Sequence, residues 1–286
     1  MGNGASRRIA IVTDSTCDLP KDLVEEFGIQ IVPQTLIMGE QTWLDGVDID
    51  PPAFYELLRT SSQFPSTSQP TVAYFQEVFG RVAKEAGGIV AILVSDELSG
   101  TINSACLAAE TMPGTAIEII DSRSVSLGLG YMVLEAARVA ATGADLQAVA
   151  DTARGLVGRI QVHFIVDTLE YLHRGGRIGA AKRLFGTALN LKPILTLLDG
   201  QVSPLTNVRS RRKAIATLLQ LVEDELAGAE RVHVAVLHIA AREEADRLAE
   251  QLAERFEPVE MFFSECGPVV GAHAGPGTLG IAFYAE

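Results

Sequence analysis

The chain has 286 residues and a net charge of −13, with 48% hydrophobic and 21% charged residues. That length suits two α/β domains, and the composition is that of a packed globular protein rather than a disordered one. The acidic balance argues against a nucleic-acid binder, and the longest apolar run, at 89–94, falls far short of the roughly 18 residues of a membrane span.

The opening MGNGASRRIA has no apolar signal-peptide core. Its Gly2…Ser6 spacing matches only a short myristoylation pattern, and residues 1–8 read as a leader outside the fold of a cytoplasmic protein. Short β-branched runs at 9–12, 29–37, 89–94 and 117–120 alternate with helical patterns at 19–27, 72–86, 101–111 and 125–141. This alternation predicts βαβ units and a mostly parallel sheet. The helical run continues over 146–158, whose end is the expected boundary between an N-terminal α/β domain, 1–158, and a C-terminal α+β domain, 159–286. The second half is more mixed, with strands expected at 162–166, 194–198, 232–239 and 281–285 and helices at 180–189, 213–226 and 242–256. Asp199-Gly200 lies between two short apolar runs and favours the positive φ angles of a hairpin turn, so antiparallel pairing is expected there.

Charge is unevenly spread. Residues 171–214 hold nine Lys and Arg against Asp199 alone, a net of +8 in an acidic chain. A solvated helix face explains many such runs, but this one also suits an anionic ligand or partner. Cys17, Cys106 and Cys266 are odd in number and lack C-x-x-C spacing, so reduced thiols are expected, not disulfides or zinc. His233 and His238 are five apart on an expected strand and point to opposite faces, so no metal site is expected.

Three apolar runs end in Asp followed by Ser or Thr: Asp14-Ser15, Asp121-Ser122 and Asp167-Thr168. These residue types cap helices, and they also gather at strand carboxyl ends, where α/β sheets bind ligands. Ser66-Thr67-Ser68-Gln69 and Leu98-Ser99-Gly100-Thr101 put hydroxyl donors before helical stretches, a carboxylate- or phosphate-binding arrangement. The stretch from Gly275 to Gly280 contains a literal G-x-G-x-x-G, but an expected strand follows it, not a helix. The dinucleotide reading therefore fails on context, leaving a glycine-lined turn beside His273. Neither a G-x-x-x-x-G-K-[ST] phosphate loop nor a G-x-S-x-G elbow occurs, so the chain carries no ATP-binding or hydrolase motif of its own.

With VTDSTCDLP from Val12, STSQPT from Ser66, LSGTINSA from Leu98, IIDSRSVSLGLG from Ile119, LEYLHRGGRIG from Leu169, LNLKPIL from Leu189 and HAGPGTLG from His273, the sequence resembles the DegV family from about Ile9 to Tyr284. One departure is Ile102, where family members commonly carry an aromatic residue. The resemblance implies two α/β-type domains with a long-chain fatty acid between them, no cofactor, and no catalysis by this chain. It further implies a separate ATP-dependent kinase subunit that phosphorylates the bound acid to an acyl phosphate for phospholipid synthesis.

On the matching motifs, Thr67, Ser99 and His273 would hold the carboxylate. Asp14, Ser15, Ser68, Gly100, Asp121, Ser122, Gly275 and Gly277 would line the site, and Arg177, Arg209 and Arg211 would serve presentation and the partner. Two alternatives stand beside this reading. One is a small-molecule hydrolase using Ser15 or Ser99 with His273; the other is a lipid carrier with no kinase partner.

Overall fold

The structure, a computed structural model, describes residues 8–186 and 191–286. Its strands in chain order are β1 (Ile9–Asp14), β2 (Gln30–Val32), β3 (Thr35–Met38), β4 (Gln41–Leu44), β5 (Ser66–Ser68), β6 (Gly88–Leu93), β7 (Ile117–Asp121), β8 (Gln161–Ile165), β9 (Lys192–Leu198), β10 (Gln201–Val208), β11 (Val232–His238), β12 (Glu260–Glu265) and β13 (Leu279–Ala285). They form a parallel sheet, β2-β1-β6-β7, a mixed sheet, β10-β9-β8-β13-β11-β12, and a small antiparallel sheet, β4-β3-β5.

The alternating side chains of each strand sort into two layers, as a period of two dictates. In β6, Ile89, Ala91 and Leu93 pack toward the helices Val72–Val82 and Thr101–Glu110, while Val90 and Ile92 join the central core. In β11, Val232, Val234 and Val236 face the helices Arg211–Glu225 and Arg242–Phe256, while Ala235 and Leu237 face the centre. Helix Leu127–Ala141 lies in that centre, where its Tyr131 hydroxyl donates to the Val234 carbonyl at 2.7 Å. It is apolar nearly all round because both of its sides are covered.

The Asp199-Gly200 hairpin forms as expected: φ is +50° and +82° at the two residues, and β9 pairs antiparallel with β10. The apolar run at 29–37 is two strands in different sheets, not one. Pro33 interrupts it and has no N–H to give a ladder, so β2 stays in the parallel sheet while β3 leaves it. The helix expected from 125 starts at Leu127, because Ser126 has φ +56°. The run over 146–158 is a separate helix, Leu146–Leu156, divided from its predecessor by Gly143 at φ +86°. In place of a helix at 180–189 there is a 3-10 segment, Gly179–Leu184, followed by a turn at Phe185 and Gly186; residues 187–189 of that expectation, and Leu189 and Asn190 of LNLKPIL, fall outside the described residues. No described helix is long and apolar enough to cross a membrane.

Candidate ligand-binding site

Between the parallel and mixed sheets lies a cavity of about 100 Å³. Its walls are largely apolar: Val162 and Phe164 from β8, Leu197 from β9, Leu237 from β11, with Leu172 and Val269 from short helices. With Val202 from β10, the inward faces of four mixed-sheet strands thus supply one wall.

Four polar side chains meet on this cavity from four separate elements. Thr67 comes from β5, Ser99 from the loop after β6, Arg177 from the loop after helix Glu170–Arg174, and His273 from helix Pro268–Ala274. Thr67 Oγ1 and His273 Nε2 share a hydrogen bond of 2.7 Å. His273 Nδ1 is buried without a hydrogen-bond partner among the described residues. Burial, with the Arg177 charge adding, pushes the imidazole down to about 4, so it is neutral at pH 7. A neutral imidazole carries one proton. A stranded N–H costs more than an unused lone pair, which places the proton on Nε2 and makes it the donor to Thr67. The Thr67 hydroxyl hydrogen is then free to donate into the cavity.

Ser99 Oγ and Thr101 Oγ1 share a 2.8 Å hydrogen bond, and helix Thr101–Glu110 begins beside them with no side-chain cap. The positive end of that helix adds to a potential that favours an anion. Arg177 is braced by Nε donating to Leu98 O at 2.9 Å and Nη1 donating to Gly175 O at 2.8 Å. Gly175 has a structural reason to be glycine: a Cβ there would overlap His273 Nδ1. At Gly100 a Cβ would come within 2.9 Å of the Gln69 amide.

The other expected site residues lie elsewhere. Asp14 is buried and accepts four hydrogen bonds, from Thr16 N (3.0 Å), Thr16 Oγ1 (2.6 Å), Gln34 Nε2 (3.1 Å) and Val94 N (2.8 Å). It ties three chain segments together behind the wall. Ser15 donates to Asp45 at 2.8 Å and lines a different cleft. Ser68 is exposed, while Asp121 and Ser122 accept from Arg123 N (2.8 Å) and Ser124 N (3.1 Å), the local capping role of such residues. Gly275 and Gly277, both at positive φ, let the chain turn against Tyr171 and Asp167. Arg209 is exposed with no ion pair among the described residues. Arg211 is three-quarters or more buried and grips Glu244 at 2.8 Å, with Asp167 at 3.7 Å. It is a structural cation rather than a free one.

Sequence reasoning missed several lining residues: Thr16, Gln34, Gln69, Ser126 and Thr278 on the polar side, and Val162, Phe164 and Leu237 on the apolar side. The period-two alternation of the runs at 162–166 and 232–239 held the signal for the last three. Cys17, Cys106 and Cys266 are free thiols.

A family model described as "Uncharacterised protein, DegV family" matches residues 8–286. A DegV domain-containing protein of Streptomyces coelicolor is 40% identical over 278 residues, 96% of this chain and 98% of the relative. A structure described as fatty acid binding of a DegV family protein from Thermus thermophilus matches with a TM-score of 0.92 at 36% identity, covering 98% of this chain and 100% of that one. The structure of DegV from Bacillus subtilis, described as a fatty acid binding protein, matches with a TM-score of 0.90 at 31% identity over the same shares. The family match spans all three sheets and includes Thr67, Ser99, Arg177 and His273, and the chain belongs to the DegV family.

Proposed function

We propose that this protein binds a long-chain fatty acid in the cavity between its parallel and mixed sheets and presents the carboxylate to a separate ATP-dependent kinase subunit. In this reading residues 1–158 and 159–286 are the two units that enclose the ligand. The observation that carries the proposal is an apolar cavity whose polar residues include Thr67, Ser99, Arg177 and His273, converging from four elements. Burying each CH₂ contributes about 0.8 kcal/mol, so some fifteen of them offset the desolvation of a charged head group that finds donors. Two DegV relatives described as binding fatty acids support the same ligand class.

The site residues act by binding and orientation. Thr67 donates its hydroxyl hydrogen to one carboxylate oxygen, kept in that role by His273 Nε2 behind it. Ser99 donates to the head group while Thr101 donates to Ser99. Arg177 supplies a fixed positive charge, which also balances charge on a transferring phosphoryl group. Phosphoryl transfer needs mainly positioning and electrostatic balance, so no general base is required of this chain. The hydrolase alternative has less support. His273 bonds Thr67, Ser99 bonds Thr101 and Ser15 bonds Asp45, so neither serine is paired with the imidazole.

Native mass spectrometry of the purified protein tests the ligand, and a coupled assay tests presentation. A co-purifying fatty acid is expected, with no acyl phosphate formed from ATP, magnesium and fatty acid unless a kinase subunit is added. Acyl phosphate formation by this chain alone would overturn the presenting role. Arg209→Ala is expected to keep near-normal fatty-acid binding and to lose most acyl phosphate output with the kinase; proportionate loss of both would make Arg209 an ordinary binding residue.

A further inference from the structure

At the opposite end of helix Pro268–Ala274 from His273, three buried carboxylates from the N-terminal half meet. Asp14 ends β1, Asp18 follows it closely, and Asp45 follows β4. Asp18 accepts from Ser126 Oγ at 2.6 Å and from Gly267 N at 2.8 Å, joining the starts of helices Leu127–Ala141 and Pro268–Ala274. Asp45 accepts from Ser15 Oγ at 2.8 Å. A Cβ on Gly267 would lie 3.2 Å from Asp18 Oδ1 and 3.3 Å from Asp45 Oδ1, so both carboxylates rest against one glycine. Tyr55 completes the grip: its hydroxyl donates to Cys266 O at 2.6 Å and its ring fills the place of a side chain at Gly271.

The remaining ionisable groups facing this cluster are Cys17, Tyr55, Glu265 and Cys266, with Lys21 and Glu25 on the adjoining cleft. Lys21 is the one cation among the described residues lining that cleft. The junction is also cavity wall: Thr16, Ser126, Cys266 and Val269 line the cavity, and the first three bond or border the carboxylates.

We infer that Asp18 and Asp45 form a pH-sensitive latch, closed when protonated and loosened by ionisation, whose loosening frees helix Pro268–Ala274 and opens the cavity wall. The part concerning ligand exchange rests on the binding function proposed above; the latch itself does not. Burial pushes Asp18 up to about 6, against the opposing bonds from Ser126 and Gly267. Burial likewise pushes Asp45 up to about 7, with Ser15 opposing and the Asp18 charge adding. A protonated carboxyl keeps its carbonyl oxygen as acceptor for the backbone N–H of Gly267 (Asp18) or Val269 (Asp45), its own O–H turns to donate to the facing serine oxygen, and it sheds its repulsion with the neighbouring carboxylates. Once the junction opens to water, both groups return to the ordinary range near pH ~4. Opening therefore releases protons and is favoured as the pH rises through 6 and 7.

Amide hydrogen exchange at 267–271 in the full-length protein, corrected for its intrinsic pH dependence, tests the latch. Protection is expected to fall at least about tenfold from pH ~5 to pH ~8 in the wild type. Asp45→Asn and Asp18→Asn keep the shape and an acceptor oxygen, and each is expected to reduce that dependence. Flat protection in the wild type, or an undiminished slope in both variants, overturns the latch. Stopped-flow release of a fluorescent long-chain fatty acid is expected to accelerate over the same pH range; constant release beside changing protection overturns the gating of the cavity. A protein that binds no fatty acid at any pH, yet shows the protection change, fails the binding proposal and upholds the latch.

Discussion

The two ends of helix Pro268–Ala274 face opposite electrostatic problems within seven residues. At the C-terminal end burial drives His273 toward its neutral form, down to about 4, beside a braced guanidinium. At the N-terminal end burial drives Asp18 and Asp45 toward theirs, up to about 6 and 7, where the only cation on the adjoining cleft among the described residues is Lys21. The same physical cause, loss of water around an ionisable group, suppresses a cation in one place and anions in the other. What differs is the residual field. The His273 end keeps the net positive charge of Arg177 and can accept an anionic head group; the aspartate end offers no cation among the described residues lining the cavity. On the binding function proposed above, an acyl chain would have one favourable orientation in this cavity, carboxylate toward His273.

The sharpest way to break this contrast is to disturb the imidazole without touching its chemistry. Gly175→Ala puts a methyl group where His273 Nδ1 lies, while the backbone there, φ −72° and ψ −8°, suits alanine well. Fatty-acid affinity is expected to fall about 100-fold, the loss of more than one bond to a charged group. Gly176→Ala is the control: φ is +73° and nothing lies within 4 Å, so it should cost about 1 kcal/mol of stability and leave affinity intact. Titration calorimetry and thermal melts on the pair decide it, and equal affinity losses would remove the steric argument.

Thr67→Val and Ser99→Ala remove single donors. Each is expected to weaken binding of a fatty acid by about 10- to 100-fold, the worth of one hydrogen bond to a charged group, and binding of a fatty alcohol much less. Equal losses for acid and alcohol would make these hydroxyls structural and the carboxylate assignment wrong.

The opposed shifts also set opposed pH dependences of stability. His273 titrates lower in the folded state than unfolded, so it costs stability as the pH falls from about 6.5 toward 4. Asp18 and Asp45 titrate higher when folded, so they add stability as the pH falls from about 7 toward 4. In the wild type the two partly cancel. Two aspartates outweigh one histidine, so His273→Gln should enlarge the gain on acidification and Asp45→Asn should shrink it to near zero, each by roughly 3 kcal/mol by chemical denaturation across that range. Parallel pH profiles for the two variants would show that the two ends are not opposed.

The motifs made the His273 end legible and left the aspartate end hidden. Thr67, Ser99, Arg177 and His273 each lie in a short distinctive stretch, and the family resemblance joined them although up to 206 residues separate a bonded pair. Asp18 sits in a stretch just as distinctive, VTDSTCDLP, but its partner is the backbone N–H of Gly267, 249 residues away, which no side-chain pattern announces. Asp14 was legible only as a polar strand end; its donors, Gln34 and Val94, belong to two other segments. The small sheet carrying Thr67 was obscured because β5 is three polar residues, too short and too hydrophilic for a period-two signal. Charge counting likewise treated Arg209, Arg211 and Arg212 alike, because burial is not written in composition.

That last distinction gives the smallest expected effect. Arg212 and Lys213 are exposed at the start of helix Arg211–Glu225, and Arg209 is exposed two residues before it. Arg211, in their midst, is bound to Glu244 and approaches Asp167. Exposed rim charges act mainly on association rate and its salt dependence, whereas removing one partner of a partly buried pair such as Arg211–Glu244 costs stability. If the proposed kinase subunit docks here, Arg212→Glu with Lys213→Glu should therefore slow that association severalfold at low salt, with the difference fading as the ionic strength rises. Arg211→Ala should change that rate little and lower the melting temperature instead, because Glu244 loses its cation. Surface plasmon resonance across a salt series, beside melts of the same variants, separates the two. If Arg211→Ala slows association as much as the double reversal at unchanged stability, its ion pairs open on docking and it joins the steering set.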